Sequence, residues 1–142
     1  MTQEEQSLLL KDLSARLSDG IICQVDDGAA GLNDGKLVEI DISKGLVRFD
    51  ADYYWDAYID DVKPYLRPMS SMTEEEEYAY HRYKNINNLE IFNQEHHEII
   101  KACVLGFSNA IDFLNANHFD YRGMIPKGLA IEVTKENNPY ED

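Results

Sequence analysis

A chain of 142 residues, 44% of them hydrophobic, is long enough to bury a core without a metal or disulfide staple, and its composition is not that of a disordered chain. Its 27 acids against 13 bases leave a formal net charge of −14, spread as 14 acids and 5 bases in residues 1–61 and 13 and 8 in residues 62–142. With no basic stripe, direct binding to nucleic acid or to an anionic membrane surface is disfavoured; the charge either keeps the protein soluble or draws it to a protein partner with a basic surface.

The first element is a predicted helix over residues 3–17. Thr2 and Glu5 stand at capping-box spacing, and Leu9, Leu13 and Leu17, widened by Leu10, form one stripe. Asp19-Gly20 ends it, because glycine adopts the left-handed conformation at little cost. A strand is expected over 21–25, then a turn-rich loop over 26–33. A second strand covers 36–42, with Leu37 and Ile40 out of phase, and Ser43-Lys44-Gly45 turns the chain into a third strand over 46–49. The loop glycines lack the Lys-Ser/Thr of a phosphate loop. Asp26, Asp27, Asn33 and Asp34 lack the spacing and the closing glutamate of a calcium loop.

Residues 50–72 are the least regular stretch, and Pro64 and Pro68 argue against a helix there. Tyr53, Tyr54, Trp55 and Tyr58 sit among five acids, with Tyr65 and Arg67 following. Aromatic residues beside charges are common at protein interfaces, so these six residues are the candidate interaction surface. The competing reading is a long connection pinned to the core by its own aromatics. Thr73 then caps a helix over 74–84, with Glu74, Glu75 and Glu76 in its first turn, and Glu76 completes a second capping box. After a break at 85–88, a long apolar helix is expected over 89–117. Residues 129–134 alternate as a final strand that can join the sheet edge, and the tail from Glu136 reads as frayed.

Chemistry is sparse. His97-Glu98 begins like a helical zinc motif, but residue 101 is lysine where the second ligand belongs. No nucleophile elbow occurs, and Cys103 faces the apolar side of its helix, where burial raises rather than lowers a thiol pKa. Cys23 and Cys103 read as free buried thiols. His118, Asp120, Tyr121 and Arg122 beside a glycine turn form an alternative polar site. They are either part of a small hydrolase together with His81 or His97, or a latch in which Arg122 pairs with a carboxylate. No cofactor and no metal is expected.

Two phrases carry a resemblance: Tyr65-Leu66-Arg67-Pro68-Met69-Ser70-Ser71-Met72-Thr73-Glu74-Glu75-Glu76, and His118-Phe119-Asp120-Tyr121-Arg122-Gly123 continued by Ile125-Pro126-Lys127-Gly128-Leu129-Ala130. Together they resemble a group of uncharacterised proteins of gut Bacteroidetes and their mobile or phage-like elements. The resemblance implies a bacterial, intracellular accessory protein and brings no activity, cofactor or catalytic residue with it.

The sequence therefore predicts one α+β domain over residues 1–142, a small antiparallel sheet packed on about three helices. The N-terminus lacks the basic region of a signal peptide and no stretch is long enough to span a bilayer, so a cytoplasmic location is expected. The expected function is that of a non-enzymatic interaction domain engaging a basic partner. A small hydrolase and an acidic mimic of nucleic acid are the alternatives.

Overall fold

The computed structural model describes residues 1–50, 54–84 and 108–141. Helix α1 (Gln3–Arg16) opens on the expected capping box: Thr2 Oγ1 accepts from the Glu5 N–H at 3.1 Å, and Glu5 Oε1 accepts from the Thr2 N–H at 3.3 Å. Leu9 and Leu13 are fully buried, while Leu17 is exposed, because the chain leaves the helix through a tight turn at Leu17–Asp19. Gly20 then takes φ +70°, and the chain enters β1 (Ile22–Asp26).

β1, β2 (Leu32–Asp41) and β3 (Leu46–Asp50) form the predicted antiparallel meander. The second strand starts earlier than its sequence suggests, since Asp26 pairs with Leu32 and Val25 with Asn33. The dephased Leu37 and Ile40 have a structural cause. Pairing shifts between Leu37 and Glu39, leaving Val38 as an extra residue, so Leu37 opposite Phe49 and Ile40 opposite Val47 both face the core.

The stretch read as an irregular connection is instead two strands, β4 (Tyr54–Tyr58) and β5 (Val62–Pro68), joined by the short turn Ile59–Asp61. The prolines misled the sequence reading. Pro64 pairs with Cys23 well inside β5, a position that proline usually leaves to edge strands. β5 is also buried at Val62 and at Pro64 to Leu66 in succession, which erases the alternation by which a strand is recognised.

Helix α2 (Glu74–Lys84) begins as predicted: Thr73 Oγ1 accepts from the Glu76 N–H at 3.1 Å, and Glu76 Oε1 from the Thr73 N–H at 3.0 Å. Of the long helix expected over 89–117, residues 108–116 form helix α3, and the earlier part lies outside the described residues. β6 (Phe119–Asp120) and β7 (Ile131–Glu132) both pair in parallel with β5. The strand order is β4-β3-β2-β1-β5-β6, with β7 also on β5. The fold is thus α+β, with a mixed sheet packed against three helices. The final strand joins β5 rather than the free edge of the sheet.

Burial drives this arrangement. Leu9 and Leu13 meet Cys23, Val25, Leu37, Val47, Phe49, Val62 and Leu66 from the sheet, and Met124, Leu129 and Ala130 from the tail. Each such large side chain contributes about 1.5–3 kcal/mol when removed from water. The tail is not frayed at Tyr140. Its hydroxyl donates to the Tyr65 carbonyl at 2.8 Å and accepts from the Ile22 N–H at 3.1 Å, which holds the C-terminus against β1 and β5. No helix among the described residues is long and apolar enough to cross a membrane.

Candidate functional site

The six candidate interaction residues part company in the structure. Tyr53 lies outside the described residues, and Tyr54 and Trp55 belong to the backbone of β4. Tyr65 is a correction. It is only 3% exposed, and its hydroxyl donates to Asp34 Oδ1 at 2.9 Å, so it serves the sheet rather than a partner. Burial first, and then the Asp34 carboxylate, raise its pKa. Arg67 is likewise engaged within the fold. Its guanidinium forks onto Glu76 with two 2.7 Å bonds and lies 4.2 Å over the Phe119 ring. That bond to Arg67, ahead of the Thr73 backbone, holds the Glu76 carboxyl below its usual range.

Tyr58 remains, and it is 65% exposed. It stands on β4, the terminal strand in the sheet order, opposite Leu46. Two pairs further along, Asp56 faces Arg48, and Arg48 faces Glu39 on β2. Arg48 bridges the two carboxylates at 3.0 Å and 2.9 Å. Beyond Tyr58 the turn exposes Asp60 and Asp61 beside Asp26 and Gln24, while Ile59 is buried beneath it. Along the sequence, residues 50–61 carry five acids and no base, and Arg48 on β3 is the base that meets Asp56.

A second concave region lies at the opposite end of the strand order. Arg67, Thr73 and Glu76, His118 of the turn before β6, and Thr134 and Tyr140 of the tail line a cleft of about 720 Å³. His118 takes φ +63°, the one left-handed non-glycine residue among those described. Its ring stacks on Tyr140 with centroids 3.8 Å apart. Burial, and then the charges of Arg16 and Arg67, lower its pKa to about 4, so the ring is neutral at pH 7. Its buried Nδ1 has no hydrogen-bond partner among the described residues.

Asp120, Tyr121 and Arg122 do not join His118 in that cleft. Both oxygens of Asp120 accept backbone N–H bonds, from Met124 at 2.8 Å and Ile125 at 2.9 Å, which closes the glycine turn. Arg122 donates to Asp12 Oδ1 at 2.9 Å and to the Tyr121 hydroxyl at 2.9 Å, and Tyr121 donates to Asn115 Oδ1 at 2.7 Å. The geometry is that of the latch. Its carboxylate is Asp12, which also accepts from Arg16 Nε at 3.0 Å. His81 is exposed on α2 and does not line the cleft, and His97 and Cys103 lie outside the described residues. The groups of the hydrolase reading that can be placed are therefore not brought to one site.

Sequence reasoning missed Asp12, Arg16 and Tyr140. Asp12 and Arg16 are fully buried, yet they look like ordinary surface residues of an amphipathic helix. The available signal was their i, i+4 spacing on the same side as Leu9 and Leu13. Cys23 is a buried free thiol, and burial pushes its pKa up. Among the described residues no cluster of His, Cys, Asp or Glu has the composition of a metal site. No known protein family matches the chain, and no curated protein or solved structure matches it either.

Proposed function

We propose that this protein is a non-enzymatic interaction domain that engages a partner with a basic surface through the segment from β4 to the turn that follows it. One observation carries this reading: Tyr58, an amphipathic side chain, stands exposed on the terminal strand within a stretch of five acids and no base. An aromatic ring supplies contact area at little cost in conformational entropy, and the surrounding carboxylates steer a cationic partner toward it. The rest of the polar chemistry supports the same reading by subtraction. Asp12, Arg16, Asp120, Tyr121 and Arg122 bind one another or the backbone, as structural groups do. A soluble bacterial accessory protein working through a partner accords with the resemblance of the two sequence phrases.

The test is co-purification of the tagged protein from its native cells at low and moderate salt, beside an Asp60→Lys/Asp61→Lys variant. A stoichiometric partner of basic isoelectric point should be retained by the wild type. It should be lost from the variant, and weakened by moderate salt. A partner held equally by both proteins would remove the acidic segment from the interface.

A further inference from the structure

We infer that the outer edge of β4 receives an extended basic segment of the partner, which adds to the sheet as one more strand. The inference rests on the interaction reading above and specifies its mode. β4 ends the strand order, and β3 is its one neighbour among the described residues. The direction of its backbone groups follows from a single bond. The Ile59 N–H donates to the Gly45 carbonyl at 3.0 Å, on the β3 side. Main-chain groups alternate along a strand, so those of Ala57 and Trp55 also point toward β3. Those of Tyr54, Asp56 and Tyr58 then point away from the sheet. The pairing of Asp56 with Arg48 agrees with this. The two stand as a non-hydrogen-bonded pair, the closer kind, and their side chains meet at 3.0 Å.

An edge that presents three outward residues is a template for another strand, and proteins usually blunt it with lysine, proline or a bulge. β4 has none of these: its residues are Tyr-Trp-Asp-Ala-Tyr, and the bulge of this sheet lies in β2. The charge decides what kind of strand fits. A second copy would set Asp56, Asp60 and Asp61 against the same acids, on top of a net charge of −14 per chain. An extended segment with alternating lysine or arginine sets cations opposite and diagonal to Asp56, where opposite charges across a strand pair are favourable.

Two fluorescein-labelled octapeptides of alternating lysine and valine test this, one with a normal backbone and one with every interior backbone nitrogen methylated. Charge and side chains are the same, while methylation removes the strand N–H donors and its bulk blocks pairing along that edge. The first should bind saturably at low salt, and the methylated one should bind more than about tenfold more weakly. On the protein side, Tyr58→Pro is matched against Tyr58→Ala. Both remove the ring, but only proline removes the outward N–H, and the φ of −76° at Tyr58 already suits a proline. The proline variant should bind the normal peptide about 3- to 10-fold more weakly than the alanine variant. Equal binding of the two peptides would overturn strand addition while leaving an acidic docking surface in place. No saturable binding of either would overturn strand addition and the basic-partner reading together. A dimer in sedimentation that Tyr58→Pro dissolves would give the edge to a second copy instead and overturn the inference.

Discussion

His118 shows how a residue can be held in an unfavourable state by its neighbours. A left-handed backbone at a residue with a Cβ costs of the order of 1–3 kcal/mol. The cost is offset by the bond from the Arg67 N–H to the His118 carbonyl at 2.8 Å and by the stack on Tyr140. The same packing keeps the imidazole neutral, with its pKa lowered to about 4 from 6.5. Between these two values the unfolded chain binds a proton that the folded chain refuses. Stability from this group is therefore complete above about pH 6.5 and is lost as pH falls toward 4. Replacing it by asparagine, which tolerates the left-handed region, removes the titration and keeps the backbone. Urea unfolding at pH 7 and pH 4.5 should show the wild type losing about 1 kcal/mol more than His118→Asn over that interval, the part of the ring that solvent reaches being screened. Equal losses in the two proteins would mean that the folded imidazole takes up its proton as readily as the unfolded one.

Between elements, the tie that matters most is Asp12. It sits on α1, yet it binds Arg122, which follows β6, and Arg16, whose Nη2 reaches the Phe119 carbonyl at 2.6 Å. Helix and tail are thus joined by one carboxylate without solvent contact, and Arg16 Nη1 has no partner among the described residues. Removing one member of a buried pair leaves the other charge without compensation, which costs about 3–5 kcal/mol. Asp12→Ala should lower the free energy of unfolding by about that much in denaturant titrations. The pair replacement Asp12→Leu/Arg16→Met should lie closer to the wild type, because it removes the desolvated charges together. If the double variant were as unstable as the single one, packing and not charge would account for the loss. This tie was half legible: Arg122 beside a glycine turn reads as a latch onto a carboxylate, but the carboxylate it meets lies 110 residues away, and only the i, i+4 spacing of Asp12 and Arg16 marks it locally. The helices α1 and α2 were legible, because the capping boxes at Thr2 and Thr73 are written within four residues. The meander was legible for the same reason, its turns being local. β4 and β5 were not. Their pairing is decided by distant neighbours, and burial of consecutive residues in β5 hides the period of two. The candidate surface was half legible. Composition pointed to the aromatic-acidic stretch, but only the strand order separates the exposed Tyr58 from the buried Tyr65.

Charge acts on the molecule as a whole. The ion pairs between described residues that shape the fold draw on four arginines, Arg16, Arg48, Arg67 and Arg122, each already bound to carboxylate. With 27 acids and 13 bases in the chain, most carboxylates have no cation to balance them. Compaction brings these like charges together, so the folded state carries a self-repulsion that the expanded chain largely escapes. Salt screens that repulsion with a Debye length near 30 Å at 0.01 M and about 8 Å at 0.15 M, which is shorter than the span of the molecule. The buried Asp12 pairs are screened far less, because water and ions do not reach them. Raising sodium chloride from 0.01 M to 0.15 M should therefore stabilise the fold by about 1 kcal/mol, which for a domain of this size raises the melting temperature by roughly 2–5 °C. The same change should weaken attachment of a cationic partner at Tyr58, since that attraction is exposed to the same ions. A melting temperature that falls with salt would mean that exposed pairs such as Arg48 with Glu39 and Asp56 outweigh the excess charge. The argument for a partner drawn by that excess would fall with it.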